Sequence, residues 1–133
     1  MTKFYARTVF FVRDASRSLA FYTKESGFSL DWTYEENGQL HVFQVSLNGF
    51  ELILNQTEPA TVERPGHGRV FIGLDEDGSA ALKQHIESTG IKITHVHWGA
   101  PTIAICDPDQ NEVFFWLAEA APRDSVERGA GVA

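Results

Sequence analysis

The spacing of apolar residues changes several times along the chain and predicts a strand, then a helix, then more strands. Residues 4–12 are rich in aromatic and branched side chains, which is typical of a β-strand. Asp14 then offers an N-cap to a helix over residues 15–26, whose apolar side chains share one broad side. Gly27 is the predicted end of this helix.

Two Asn-Gly dipeptides follow, and each indicates a tight hairpin turn between two strands. The predicted strands cover residues 28–35, 39–47 and 50–55, separated by Asn37-Gly38 and Asn48-Gly49. The order of elements in the first half is therefore βαβββ.

The same order recurs further along the chain. A strand over residues 69–74 precedes a helix over residues 79–89 that ends at Gly90, and three strands follow at residues 91–98, 102–106 and 112–117. The repeated order indicates an internal duplication. We therefore predict an α+β fold of two βαβββ modules that form a curved mixed sheet.

The length of 133 residues fits a single domain over residues 1–133. Within it we assign a first module, a polar connection, a second module and a tail without hydrophobic periodicity, at residues 4–55, 56–68, 69–118 and 119–133. The net charge of −7 opposes binding to nucleic acid or to an anionic membrane, whereas a cationic or neutral partner is compatible with it.

No stretch approaches the length of about 20 apolar residues that a membrane span needs, and no signal peptide is evident. The one cysteine, Cys106, ends an apolar run, so we expect a small buried hydrophobic residue there. A cysteine content this low fits a soluble protein of the reducing cytoplasm.

Two short motifs bracket the repeats and resemble those of a known family. The first is the stretch of residues 12–22 followed by Gly27-Phe28, and the second is Asp107-Pro108-Asp109-Gln110-Asn111-Glu112. They resemble the opening helix and the closing turn of the glyoxalase/bleomycin resistance protein/dioxygenase superfamily, also called the vicinal oxygen chelate superfamily. Gln110 stands where that turn usually has glycine, which predicts either a tolerant turn or a left-handed residue with a steric cost.

The resemblance implies a metal site made by one residue on the first and the fourth strand of each module. Counting from the two motifs, these positions are Arg7, Glu51, Arg69 and Phe114. Only Glu51 can ligate a cation, because arginine remains protonated and repels metal ions. We therefore predict that the superfamily's metal centre is lost and that the protein needs no cofactor.

Strand alternation predicts an aromatic cleft with a charged rim in place of the metal. The expected ligand-binding residues are Arg7, Phe11, Glu51, Arg69, Phe71, Phe114 and Trp116, with Trp32 and Trp98 at the rim. An alternative interpretation is a filled core in which Arg7 or Arg69 simply pairs with Glu51.

The five histidines are the candidates for a replacement metal site. His95 and His97 share one face of a strand and form a weak zinc motif without a clear third ligand. His41 and His67 face either a cavity or solvent, and His85 is expected at the surface of the second helix. No nucleophile motif or phosphate-binding glycine loop is present in the sequence.

Three functions are compatible with these observations. The first is a metal-independent binding protein that resembles bleomycin-resistance proteins, confers antibiotic resistance and sequesters a cationic aromatic drug in a cleft of a homodimer. The second is a metal-dependent lyase or isomerase resembling lactoylglutathione lyase, with Glu51 as catalytic base. The third is a dimerisation module without a ligand.

Overall fold

A computed structural model describes residues 4–58, 63–97 and 101–117 of the chain. The elements in chain order are β1 (Thr8–Val12), α1 (Ala15–Ala20) continued by a π-helical turn (Phe21–Glu25), β2 (Ser29–Glu36), β3 (Gln39–Leu47), β4 (Phe50–Gln56), β5 (Arg69–Gly73), α2 (Glu76–Thr89), β6 (Thr94–His97), β7 (Pro101–Cys106) and β8 (Glu112–Trp116). The described residues divide into two compact units, the first of residues 4–58, 63–68 and 107–112, and the second of residues 69–97, 101–106 and 113–117.

The first unit is a four-stranded mixed sheet in the order β1-β4-β3-β2, with α1 packed against β3 and β4. β1 runs parallel to β4, and the other neighbouring pairs are antiparallel. The face of the sheet towards the helix is fully buried and carries Phe10, Val12, Phe43, Val45, Leu52 and Leu54. Burial of this apolar layer is the main favourable term in forming the unit.

The turns and caps of the first unit match those predicted from the sequence. Asp14 caps α1 by accepting a hydrogen bond from the backbone N–H of Arg17 at 3.2 Å. Asn37, Gly38, Asn48 and Gly49 all have positive φ angles, as type I′ turns require.

The closing turn, residues 107–111, belongs to the first unit and is fixed by Asp107. Its buried carboxylate accepts hydrogen bonds from the backbone N–H groups of Asp109 and Asn111, both at 2.9 Å. It also accepts from the Tyr22 hydroxyl at 2.9 Å, which ties the turn to the π-helical turn. Burial raises the pKa of Asp107, and these hydrogen bonds oppose that shift.

The second unit has the sheet order β5-β8-β7-β6. Its helix α2 begins at Glu76, three residues before the predicted start, because Asp75 accepts a hydrogen bond from the Gly78 N–H at 2.7 Å and caps it there. Gly90 ends the helix in the left-handed conformation, as predicted. β6 begins at Thr94, so residues 91–93, which were predicted to start this strand, precede it.

The α+β class with two βαβββ modules is thereby confirmed. One prediction about the core is wrong: Cys106 is exposed, because it ends β7 where the chain leaves the sheet. β1 is also shorter than predicted, and Phe4 and Tyr5 before it are exposed.

Within the described residues, no helix has both the length and the apolar composition that crossing a bilayer requires. Trp98 and the tail from residue 119 lie outside the described residues, and the single-domain assignment stays a prediction.

Candidate functional site

The sheet face of the first unit that points away from α1 carries its candidate site residues. Residues directly opposite one another on paired strands share a face, so the register defines three rows across this face. The rows are Arg7, Glu51 and Ser46; Val9, Ile53, Gln44 and Trp32; and Phe11, Asn55, Val42 and Tyr34. We call this set of residues the open face.

Arg7 and Glu51 meet at the edge of the open face. The Arg7 Nε atom lies 3.3 Å from Glu51 Oε1, and both side chains are about one-third exposed. The Tyr5 hydroxyl accepts a hydrogen bond from the Arg7 guanidinium at 2.6 Å, and this contact, ahead of the charge of Glu51, raises the arginine pKa. The ion pair that the sequence offered as an alternative is therefore present, although it is partly solvated and not part of a core.

This donor set does not fit the divalent metal that the superfamily's fold implies. In the first unit the one carboxylate at such a position, Glu51, already pairs with a permanent cation. In the second unit the Arg69 guanidinium stacks on the Phe114 ring at 4.8 Å from its centroid, so neither residue there supplies a ligand atom. In each unit, therefore, the residues at these positions do not form a set of metal ligands.

The centre of the open face is polar, which the sequence analysis did not anticipate. A register shift between Leu30 and Trp32 makes Asp31 an extra residue of β2, a β-bulge that redirects its side chain. The Asp31 carboxylate accepts hydrogen bonds from Gln44 Nε2 at 2.8 Å and Ser46 Oγ at 2.9 Å. Gln44 is 3% exposed, and its Oε1 atom has no hydrogen-bond partner in the described part of the chain.

A shallow cavity of about 440 Å³ adjoins β1 in the first unit. It is lined by Val9, Phe10, Phe11, Glu63, Arg64, His67 and Gly68. The Arg64 guanidinium lies over the Phe11 ring at 4.9 Å from its centroid, so this ring already accommodates a flat cation. The predicted ligand residue Phe11 is thus placed at a cavity, together with His67, which is exposed.

Residues 63–68 are held against the first unit by the closing turn. Asn111 accepts a hydrogen bond from the Gly68 N–H at 2.8 Å, and the Gly68 carbonyl accepts one from the Glu112 N–H at 2.9 Å. A Cβ atom on Gly66 would collide with the Asp109 carbonyl oxygen, and one on Gly68 would collide with the Phe10 ring. These two glycines therefore permit the close approach that forms the wall of the cavity.

The second unit carries its own exposed aromatic residues. Phe71 on β5 is 44% exposed and Trp116 on β8 is 46% exposed, whereas Phe114 is buried beneath Arg69. In the first unit Trp32 is 39% exposed. Each unit therefore presents at least one exposed aromatic side chain on its sheet.

The histidines that the sequence offers for a replacement metal site are distributed over several segments of the fold. His95 is exposed on β6, and the side chain of its predicted companion His97 lies outside the described part of the chain, as does Trp98. His41 lies beside Glu36, with 3.9 Å between His41 Nε2 and Glu36 Oε1.

Sequence reasoning missed Asp31, Gln44, Ser46 and Arg64. The polar residues Gln44 and Ser46 alternate with buried Phe43 and Val45. This period-two spacing indicates that Gln44 and Ser46 share the opposite face of the strand. No signal existed for Arg64, because its segment has no periodicity.

Comparisons with known proteins agree with this fold. The sequence profile of the Glyoxalase/Bleomycin resistance protein/Dioxygenase superfamily matches residues 5–115. Among curated protein sequences, none matches the chain significantly.

Several solved structures have the same fold at low sequence identity. The bleomycin-binding protein of Streptomyces verticillus, solved with copper(II)-bleomycin, is 21% identical with a TM-score of 0.64 over 90% of this chain and 100% of that one. An antibiotic binding protein from Streptomyces sp. CB03234 is 18% identical with a TM-score of 0.60, over 90% of this chain and 100% of that one. Lactoylglutathione lyase from Agrobacterium tumefaciens is 18% identical with a TM-score of 0.61, over 87% and 94%.

The profile match covers most of the chain, from β1 to β8, and includes both motifs that bracket the duplication. The chain therefore belongs to the glyoxalase/bleomycin resistance protein/dioxygenase superfamily.

Proposed function

We propose that this protein binds and sequesters an aromatic or cationic small molecule without using a metal at the superfamily's usual positions. The observation that carries the proposal is the exposure of Trp32, Phe71 and Trp116, each between 39% and 46%, on strands of the two sheets. Aromatic rings contribute large contact areas to planar ligands at a low entropic cost. The expected ligand residues Arg7, Phe11, Glu51, Arg69, Trp98 and Phe114 remain part of this proposal.

The charges support a ligand with a cationic group. The chain has a net charge of −7, and the Asp31 carboxylate lies at the centre of the open face, where it accepts hydrogen bonds from Gln44 and Ser46. Each unit has one expected ligand-binding ring, Phe11 in the first and Phe114 in the second, on which an arginine guanidinium group is stacked. A flat cation of a ligand can make the same contact.

Two of the similar structures are proteins that bind antibiotics, which supports a role in antibiotic resistance. We propose further that two copies form a homodimer whose shared clefts complete the site, and that the protein acts in the cytoplasm. Sedimentation equilibrium tests the dimer: a mass of twice 14.8 kDa is expected, and a monomer at all concentrations contradicts it.

The role of Phe71 is tested by fluorescence titration with two probes, metal-free bleomycin and the planar cation ethidium. We expect Phe71→Ala to weaken the tighter of the two interactions by about fivefold or more, because a lost ring contact costs about 1 kcal/mol or more. Phe4→Ala is the matched control, because Phe4 is 95% exposed and precedes the first strand. Equal affinities of Phe71→Ala and wild type, or no binding of either probe, contradict the proposal.

A lyase resembling lactoylglutathione lyase is the alternative, with Glu51 as general base. It is favoured by the similar lyase structure and by the partial exposure of the Glu51 carboxylate. The test is an activity assay with the methylglyoxal–glutathione hemithioacetal. Turnover by the wild type that is lost in Glu51→Gln would favour the lyase over the binding protein. A chain that dimerises but binds no small molecule would favour the third possibility, an interaction module.

A further inference from the structure

A second group of ligand atoms lies at the opposite end of β4 from Glu51. β2 ends at Glu36, His41 lies near the start of β3, and Glu58 follows the end of β4. The antiparallel register places Gln39 opposite Glu36 and brings Val42 opposite Asn55, so the three segments converge at one end of the first sheet. We call Glu36, His41 and Glu58 the sheet-end cluster.

We propose that the sheet-end cluster binds a divalent transition-metal ion of the zinc class, through the His41 imidazole and the carboxylates of Glu36 and Glu58. One ligand atom from each residue lies within 4.8 Å of the other two. Tetrahedral zinc with bonds of about 2.1 Å separates its ligand atoms by roughly 3.4 Å, so partly exposed side chains close the remaining gap by rotation.

The donor chemistry selects the metal. One imidazole nitrogen with two carboxylate oxygens suits zinc, copper, nickel and cobalt, whereas calcium and magnesium favour all-oxygen sites. Three protein ligands leave coordination positions for water. Within the part of the chain that the structure describes, no other three His, Cys, Asp or Glu residues bring their ligand atoms this close together.

A β-bulge at His41 and the side chain of Tyr34 orient two of the three proposed ligands. The register shifts between Tyr34 and Glu35, which leaves His41 as the extra residue of a β-bulge on β3 and redirects its ring. The Tyr34 hydroxyl donates a hydrogen bond to Glu36 Oε2 at 3.1 Å, and the other oxygen, Oε1, lies 3.9 Å from His41 Nε2. The Tyr34 ring also packs edge-on against His41, with 6.4 Å between ring centroids. Such outer contacts commonly hold metal ligands in position.

The site is tested by calorimetric titration of Zn²⁺ into the full chain and into three variants. We expect saturable binding of one ion in the wild type and in the control His85→Gln, which removes a histidine from α2. We expect no saturable binding at the same concentrations in His41→Gln or Glu58→Gln. Both substitutions are at partly or fully exposed positions, and circular dichroism verifies their folding.

Electron paramagnetic resonance with Cu²⁺ gives a second readout. Nitrogen hyperfine coupling from one imidazole is expected in the wild type and absent in His41→Gln. The proposal is overturned if the wild type shows no saturable Zn²⁺ binding, or if His41→Gln and Glu58→Gln bind the ion as the wild type does.

Discussion

At the scale of single residues, the closing turn contains two side chains whose conformation or charge is costly. Gln110 has φ 80°, in the left-handed region where a side chain meets its own backbone. Asp107 is buried, and its pKa is raised despite four hydrogen-bond donors. Both residues belong to the turn that supports residues 63–68. The unfavourable free energy of these two residues is therefore located beside the candidate site.

Replacing Gln110 by glycine is expected to stabilise the protein by up to about 1 kcal/mol, because glycine adopts positive φ without a steric penalty. Asn37→Gly is the matched control: Asn37 also has a positive φ, but asparagine tolerates it, so the change is expected to stay within about 0.5 kcal/mol. Urea unfolding measures both. A Gln110→Gly variant less stable than the wild type would show that the side chain contributes more than its strain costs.

Asp107 is expected to make stability depend on pH above its ordinary pKa of 3.8. Because the folded-state pKa is the higher one, the folded protein binds the proton more tightly, and stability falls as pH rises through the raised pKa. Asp107→Asn cannot titrate there. The difference in free energy of unfolding between wild type and Asp107→Asn is therefore expected to shift in favour of the variant as pH rises from about 3.8. A constant difference, or a shift the other way, contradicts this assignment.

At the scale of elements, the segment of residues 63–68 is shaped by close backbone contacts and not by hydrophobic periodicity. Pro65 is buried, Gly68 bonds to Asn111, and Arg64 lies over Phe11. The cavity wall thus depends on the absence of side chains at two glycines.

Gly66→Ala is expected to destabilise the first unit by more than about 2 kcal/mol, because its Cβ would strike a backbone carbonyl that cannot rotate away. Gly49→Ala isolates the conformational part of this cost. Gly49 has nearly the same φ, 89° against 92°, but nothing lies within 4 Å of its added Cβ, so a loss of about 1 kcal/mol is expected. Equal losses of stability in thermal or urea unfolding would remove the steric explanation.

The sequence predicted the elements well where local chemistry decides them. Asp14, the two Asn-Gly turns and the terminal glycines Gly27 and Gly90 fix helix and hairpin ends by their own conformational preferences. The start of α2 was missed because Gly78 weakens a helical pattern, although Asp75 caps the helix before it. The bulges at Asp31 and His41 were also missed, since register depends on pairing across strands and not on local composition.

At the scale of the whole molecule, the superfamily's fold is present, and the family resemblance assigns four positions on it to metal ligands. At these positions Arg7 with Glu51 forms an ion pair, and Arg69 with Phe114 forms a cation–π contact. The loss of the metal centre stays a prediction from the sequence, because it depends on the carry-over of these positions from the family. The sequence did not predict the polar centre around Asp31 or the sheet-end cluster, which exist only once the sheet has formed.

The most direct test is the affinity of the protein for ethidium, or for metal-free bleomycin if that probe binds more tightly, measured by fluorescence with and without excess EDTA. His41→Gln serves as a parallel sample in which the sheet-end cluster cannot contribute a metal. Equal dissociation constants in all conditions are the predicted result, because Arg7, Arg69 and Phe114 offer no metal-ligand atom and Glu51 pairs with Arg7. Loss of binding in EDTA, restored by a divalent ion in both the wild type and His41→Gln, would contradict the account.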